Sequence, residues 1–170
     1  QEKPPATATI KPQGYRLTFC PGCESAGVDR EIKMGHGYEG IHRDRQVEIA
    51  IQLFEAMGIQ RDDKERRQDW VMRGFRQFDA PVSIVVTMDK ELADDTVAHF
   101  DVGMATYGLV LAACDRGLGT VINGQGIMQS SVVREHGNIP DDEVIMTCVA
   151  MGYPDDRFVA NDVKSRRASN

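Results

Sequence analysis

The stretch that most constrains this chain runs from Ala80 to Thr120 and joins a short β-rich run to a long apolar helix. Val82 to Met88, after Ala80-Pro81, predicts a strand. Asp94 or Asp95 is placed to cap the helix that follows. That helix is expected to reach about Arg116, with Gly117 as its left-handed stop. From Val102 to Cys114 no residue carries a charge. A helix apolar on every side needs cover on more than one of them, in a large core or between subunits. The uncharged run falls short of the ~20 residues that span a bilayer. Gly103, Ala105, Gly108, Ala112 and Ala113 let another backbone approach closely. From pattern alone, this is an ordinary core helix.

At 170 residues the chain is expected to be largely one domain with a real core. Its net charge of −6 gives no general attraction for nucleic acid or an acidic membrane surface. No signal peptide or transmembrane run is visible, and the expected compartment is the cytoplasm. The chain starts at Gln1, not Met, so it is expected to be a processed or excised piece of a longer product.

Gln1 to Gln13 holds three prolines and little apolar content, and reads as an extended or disordered arm. The arm is expected to extend through residue 37, with the folded domain over 38–170. A helix is predicted over Arg43–Met57, with Val47, Ala50, Ile51, Phe54 and Met57 on one face. Asp62 or Asp63 starts a second, highly charged helix reaching about Gly74, with Trp70, Val71 and Phe75 as its apolar side. Beyond the central helix, Thr120–Ile122 and Glu143–Met151 predict strands, separated by an Asn123–Gly126 loop and a short helix capped by Ser130 and ending at Gly137. The tail from Asp155 is polar, and basic near its end. Strands alternating with helices give an α/β or α+β class, with helices against one sheet.

Four cysteines do not make a dense disulfide framework. Cys114 and Cys148 lie in apolar runs and read as small core residues. Cys20, Cys23, His36 and His42 match the spacing of a zinc finger. The context contradicts it: the histidines flank a glycine-rich loop, and Gly27 and Lys33 stand where the finger's apolar core belongs. A redox Cys-x-x-Cys wants a helix after its second thiol, and none is convincing here. No metal is expected, and the pair reads as two free cysteines in a loop. His99 reads as a surface or packing residue. Lys164-Ser165-Arg166-Arg167 can hold a phosphate through charge-assisted hydrogen bonds, or simply be a basic tail.

Four stretches taken in order resemble the nitroreductase family of flavoproteins. They are Met57–Val82 with its arginine-rich helix, Phe100–Thr120, Val132–Ile145, and Met151–Pro154 with the later Lys-Ser-Arg. The resemblance covers roughly Tyr38 to Arg167. It implies an α+β fold, with helices around a central, mostly antiparallel sheet, and a two-fold homodimer binding FMN at its interface. The implied activity is reduction of a small organic acceptor (nitroaromatic, quinone, enone or flavin) with NAD(P)H by ping-pong hydride transfer. The cofactor would carry the chemistry, which accounts for the lack of a visible catalytic constellation.

The same resemblance assigns residues. Asn123, Gly124 and Gln125 match the loop beside the flavin ring, whose backbone amides face its O4/N5 edge. Lys164 and Arg166 match the C-terminal phosphate-binding pair, with Arg167 as a substitute. The chain also departs from the family. An arginine-rich opening segment that grips the FMN phosphate, and a Ser-Asn-x-Gln-Pro-Trp-like segment lining the ring, are replaced here by the Cys-Pro-Gly-Cys arm. A second chain supplying that segment is one arrangement the departure suggests. The alternative function is a flavin-free dimeric binding or partner-stabilising module on the same fold.

Overall fold

The computed structural model describes residues 29–32 and 37–165. They form two compact units, one of residues 73–153 with 29–32, the other of 37–72 with 154–165.

The first unit is built on a three-stranded antiparallel sheet in the order β1-β3-β2, with β1 Val82–Asp89, β2 Gly119–Ile122 and β3 Glu143–Gly152. The last strand in sequence is central. Val85 faces Cys148 across one pairing and Ile122 faces Val149 across the other. A bulge between Val86 and Thr87 shifts the β1 register. Val144, Ile145, Cys148, Val149 and Ala150 are all buried, so β3 is covered on both faces and reads as a continuous apolar run. Ile127, Ile145 and Cys148 form the centre of the core, packed by Val85, Val133 and Ile139.

The helix expected to organise the chain is α3, Thr96–Cys114. The Asp95 carboxylate accepts from the Val97 and Ala98 amides, as a capping residue should. The helix stops two residues before Arg116, and Gly117 takes the left-handed conformation at φ 72°. It packs on β1 and β2. Only Thr106 and Ala113 are buried along it, whereas Val97, Phe100, Met104, Tyr107 and Leu111 are 52–68% exposed. The expected all-round cover is therefore not supplied by the described residues of this chain: one stripe meets the sheet and the other faces outward. Cys114 follows Ala113 and is turned off the buried stripe, so it is exposed and not the core residue its apolar surroundings suggested. As formed, the helix is long and apolar enough by length and composition alone to cross a membrane.

The short helix α4, Ser130–Gly137, ends on Asn138 in the left-handed conformation. Ser130 does not cap it. Its buried hydroxyl donates to the Ile127 carbonyl at 2.9 Å and lies inside the helix's first turn.

In the second unit, α1 spans Gly40–Ala56 and buries no residue; Val47 and Ile51 on its predicted apolar face are exposed. The next helix, α2, is Lys64–Phe75; residues 64–72 belong to this unit and 73–75 to the first. The Asp63 carboxylate accepts from the Arg66 amide at 3.0 Å and so starts it, while the Arg66 guanidinium reaches the Met57 and Gly58 carbonyls. Trp70 stacks on Phe158 with ring centroids 6.2 Å apart, and Arg67 lies over the Phe54 ring.

Candidate functional site

The loop leaving β2 is held from behind by Asn123. This side chain is 4% exposed and every polar atom on it is used. Nδ2 donates to the Gly74 carbonyl at 2.6 Å and to Gln77 Oε1 at 3.1 Å. Oδ1 accepts from the Gln125 amide at 3.1 Å, closing an Asx turn over Gly124. The Asn123 main chain is paired as well, its N–H donating to the Cys148 carbonyl and its carbonyl accepting from Cys148 Sγ at 2.9 Å.

Gln77 completes the arrangement. Its Nε2 donates to Cys148 Sγ at 3.3 Å while its Oε1 accepts from Asn123. Asn123, Gln77 and Cys148 are thus linked in a closed ring of hydrogen bonds, and Cys148 Sγ also lies 3.4 Å from Gln77 Oε1. Two glycines make room for it. A Cβ on Gly126 would collide with the Gln77 carboxamide and Cys148 Sγ, and one on Gly74 would collide with the Gln125 carboxamide. Burial pushes the Cys148 thiol above its ordinary range, only partly offset by hydrogen bonds to Gln77 and Ser83. The thiol therefore stays a protonated donor at neutral pH.

Gln77 also opens a strained turn. Gln77, Phe78 and Asp79 have φ of 57°, 55° and 59°. Non-glycine residues in this region cost roughly 1–2 kcal/mol each, so the turn persists only because its surroundings hold it. The Gln77 carboxamide is pinned as above. Asp79 is met by Arg76 at 3.2 Å and by Arg73 at 3.9 Å.

Gly124 is the open member of the loop. Its φ of −71° is available to any residue, so conformation does not demand glycine here. It is exposed, and nothing lies within 4 Å of where a Cβ would stand. Its N–H makes no hydrogen bond to another described residue, whereas the Asn123 and Gln125 amides are both used internally.

A second brace lies under α4. The Ser131 amide donates to Asp29, the Glu31 amide donates to Ser130 Oγ, and Arg134 grips the Glu31 carboxylate with Nε and Nη2. Glu31 also accepts from the Ile145 amide at 2.8 Å.

The structure brings Asn123, Gly124 and Gln125 together in the first unit. Lys164 belongs to the second unit and is exposed, after a 3-10 turn over Val159–Asp162. Arg166 and Arg167 lie outside the described residues, as do Cys20, Cys23 and His36. His42 sits exposed on the first turn of α1. His99 is a packing residue, its Nε2 2.6 Å from the Ala93 carbonyl. Gln77 escaped the sequence reading because its partners stand far away in the chain. Cys148 was legible only as a core residue, because nothing local marks its thiol as a donor.

The model of the nitroreductase family matches residues 38–153. The chain belongs to the nitroreductase family. Among curated relatives, it is 34% identical over 116 residues to a chloronitrobenzene nitroreductase of Comamonas testosteroni, covering 68% of this chain and 50% of that protein. It is 36% identical over 112 residues to a nitrobenzene nitroreductase of Ectopseudomonas oleovorans, covering 66% of this chain and 48% of the other. The chain thus spans about half the length of these nitroreductases. The FMN-dependent nitroreductase NfnB of Mycobacterium smegmatis, solved in complex with NADPH, superposes with a TM-score of 0.74 at 21% identity, over 84% of this chain and 63% of that one. That likeness establishes the α+β nitroreductase fold.

Proposed function

We propose that this nitroreductase-family chain is an FMN-dependent oxidoreductase that reduces a small organic acceptor with NAD(P)H. Nitroaromatics are the leading substrate class, since the similar curated proteins are named as nitrobenzene and chloronitrobenzene nitroreductases. The observation that carries the reading is the Asn123–Gln125 loop, locked from behind with an exposed glycine amide in front. A flat ring needs such a surface: backbone it can approach closely, with a donor at the edge.

Bound FMN would supply the hydride chemistry. The protein's part is binding and electrostatics. The Gly124 N–H would donate to the ring edge and stabilise negative charge there. Lys164, Arg166 and Arg167 would hold the phosphate through charge-assisted hydrogen bonds. The exposed stripe of α3 would be covered by a second copy of the chain, giving the two-fold dimer that is the commonest soluble assembly.

The test is titration of the purified chain with FMN, followed by anaerobic NADPH and NADH oxidation with nitrobenzene. The expected outcome is a yellow protein that turns over the nitroarene. A colourless protein that gains no FMN would sink this reading and favour a flavin-free binding module.

A further inference from the structure

Cys148 and Gln77 have no role in the function just proposed, yet they stand directly behind its loop. Gln77 Nε2 donates to Cys148 Sγ, Sγ donates to the Asn123 carbonyl, and Asn123 Nδ2 donates back to Gln77 Oε1. The distances are 3.3, 2.9 and 3.1 Å. Sulfur is a weak partner, so the carboxamide of Gln77 is the member that fixes the ring's geometry. Gln77 is itself held by the left-handed turn Gln77–Asp79, a conformation that non-glycine residues keep only under constraint. Gly126 leaves just the space that this carboxamide and thiol occupy. The Asn123 side chain in this ring, which Nδ2 also ties to the Gly74 carbonyl, carries the Asx turn that places the Gly124 and Gln125 amides.

We infer that Gln77 is a positioning residue: acting through Asn123 and Cys148, it sets the direction of the Gly124 N–H and so tunes the electrophilicity of the ring bound in front of it. The second half of the inference rests on the FMN reading above; the first half does not. An amide aligned with the ring edge favours the reduced, more negative ring over the oxidised one. Loss of alignment should lower the midpoint potential as well as the affinity, whereas mere loosening of the fold would lower affinity and thermal stability alone.

Three variants separate these effects. Gln77→Leu keeps the bulk and removes every hydrogen bond of the carboxamide to Asn123 and Cys148. Cys148→Ala opens the ring at sulfur. Cys148→Ser keeps a donor and an acceptor there and serves as the conservative rescue. The first measurement needs no flavin. Amide hydrogen exchange at Gln125, protected by Asn123 Oδ1, should speed up at least tenfold in Gln77→Leu and in Cys148→Ala, while Ile145 and Val149 in β3 keep wild-type rates. Cys148→Ser should stay near wild type. Unchanged exchange at Gln125 in a folded Gln77→Leu overturns the inference. The second measurement is the midpoint potential of bound FMN by dye equilibration. A tenfold loss of preference for the reduced ring lowers it by about 30 mV for two electrons. A wild-type potential in Gln77→Leu, despite faster exchange, overturns the tuning half. Wild-type protein that binds no FMN overturns the functional reading instead, and the positioning of the loop then stands or falls on exchange alone.

Discussion

Glu31 and Arg134 stand 103 residues apart in the chain and are joined by two guanidinium contacts of 2.8 Å, one to each carboxylate oxygen. Arg134 also donates to the carbonyls of Ile139, Pro140 and Glu143, so one side chain ties the end of α4, the following turn and the start of β3 together. The pair is largely shielded, with side chains 21% and 24% exposed. Breaking a shielded pair leaves the surviving charge and the carbonyls without their partners. Arg134→Ala should therefore lose about 2–4 kcal/mol in urea unfolding. Arg134→Lys should recover little of it, because an ammonium cannot reproduce the planar fork. Full stability in Arg134→Ala would show that the brace contributes nothing, and full stability in Arg134→Lys that the planar fork is dispensable.

Cys148 makes stability depend on pH. Burial raises the thiol's pKa in the folded chain above its unfolded value. The folded state then keeps a proton that the unfolded state gives up. This contribution is whole below the unfolded thiol pKa of about 8.5 and is lost as pH rises toward the folded value, with a slope of up to about 1.4 kcal/mol per pH unit. Urea unfolding from about pH 8 to about pH 10 should show a steeper decline for the wild type than for Cys148→Ser. Parallel declines would contradict it.

The outward stripe of α3 predicts assembly. Met104, Tyr107 and Leu111 are more than half exposed, and a Cβ on Gly108 would meet nothing within 4 Å in the single chain. Gly108→Leu should thus leave the fold intact while breaking the proposed contact between copies. Sedimentation at micromolar concentration should show a dimer for the wild type and a monomer for the variant. A well-folded wild-type monomer would refute the proposal.

The proposed phosphate cations give a separable effect. Charge-assisted hydrogen bonds contribute about 1.5–3 kcal/mol each, so a variant with Lys164→Ala and Arg166→Ala should weaken FMN by on the order of a hundredfold or more. Fold and assembly should persist, because Lys164 is exposed and the Asn123 network lies elsewhere. FMN fluorescence titration beside a thermal melt reads both. Unchanged affinity would place the phosphate on other residues.

Features that depend on near neighbours were legible along the chain. Each of two helix starts was narrowed to a pair of aspartates, because a capping carboxylate needs only the amides two or three residues on; the structure selects Asp63 and Asp95. Gly117 ends α3 because only the backbone of one residue is involved. The three strands were legible from apolar runs, and the Asn123–Gln125 loop from its place after β2. Tertiary structure decided the rest. That β3 lies between β1 and β2 follows from pairings no local pattern encodes. Ser130 looked like a cap, but its buried hydroxyl accepts from the Glu31 amide, 99 residues away, while donating to the Ile127 carbonyl. Nothing local marks the partners of the Asn123 side chain, which turns inward to Gly74 and Gln77, 49 and 46 residues away. A buried polar group takes whichever partners the fold brings within reach, and unsatisfied burial is costly enough to settle its direction. The outward face of α3 has the same origin: apolar periodicity shows that a helix wants cover, whereas only the packed chain shows which side its own sheet provides.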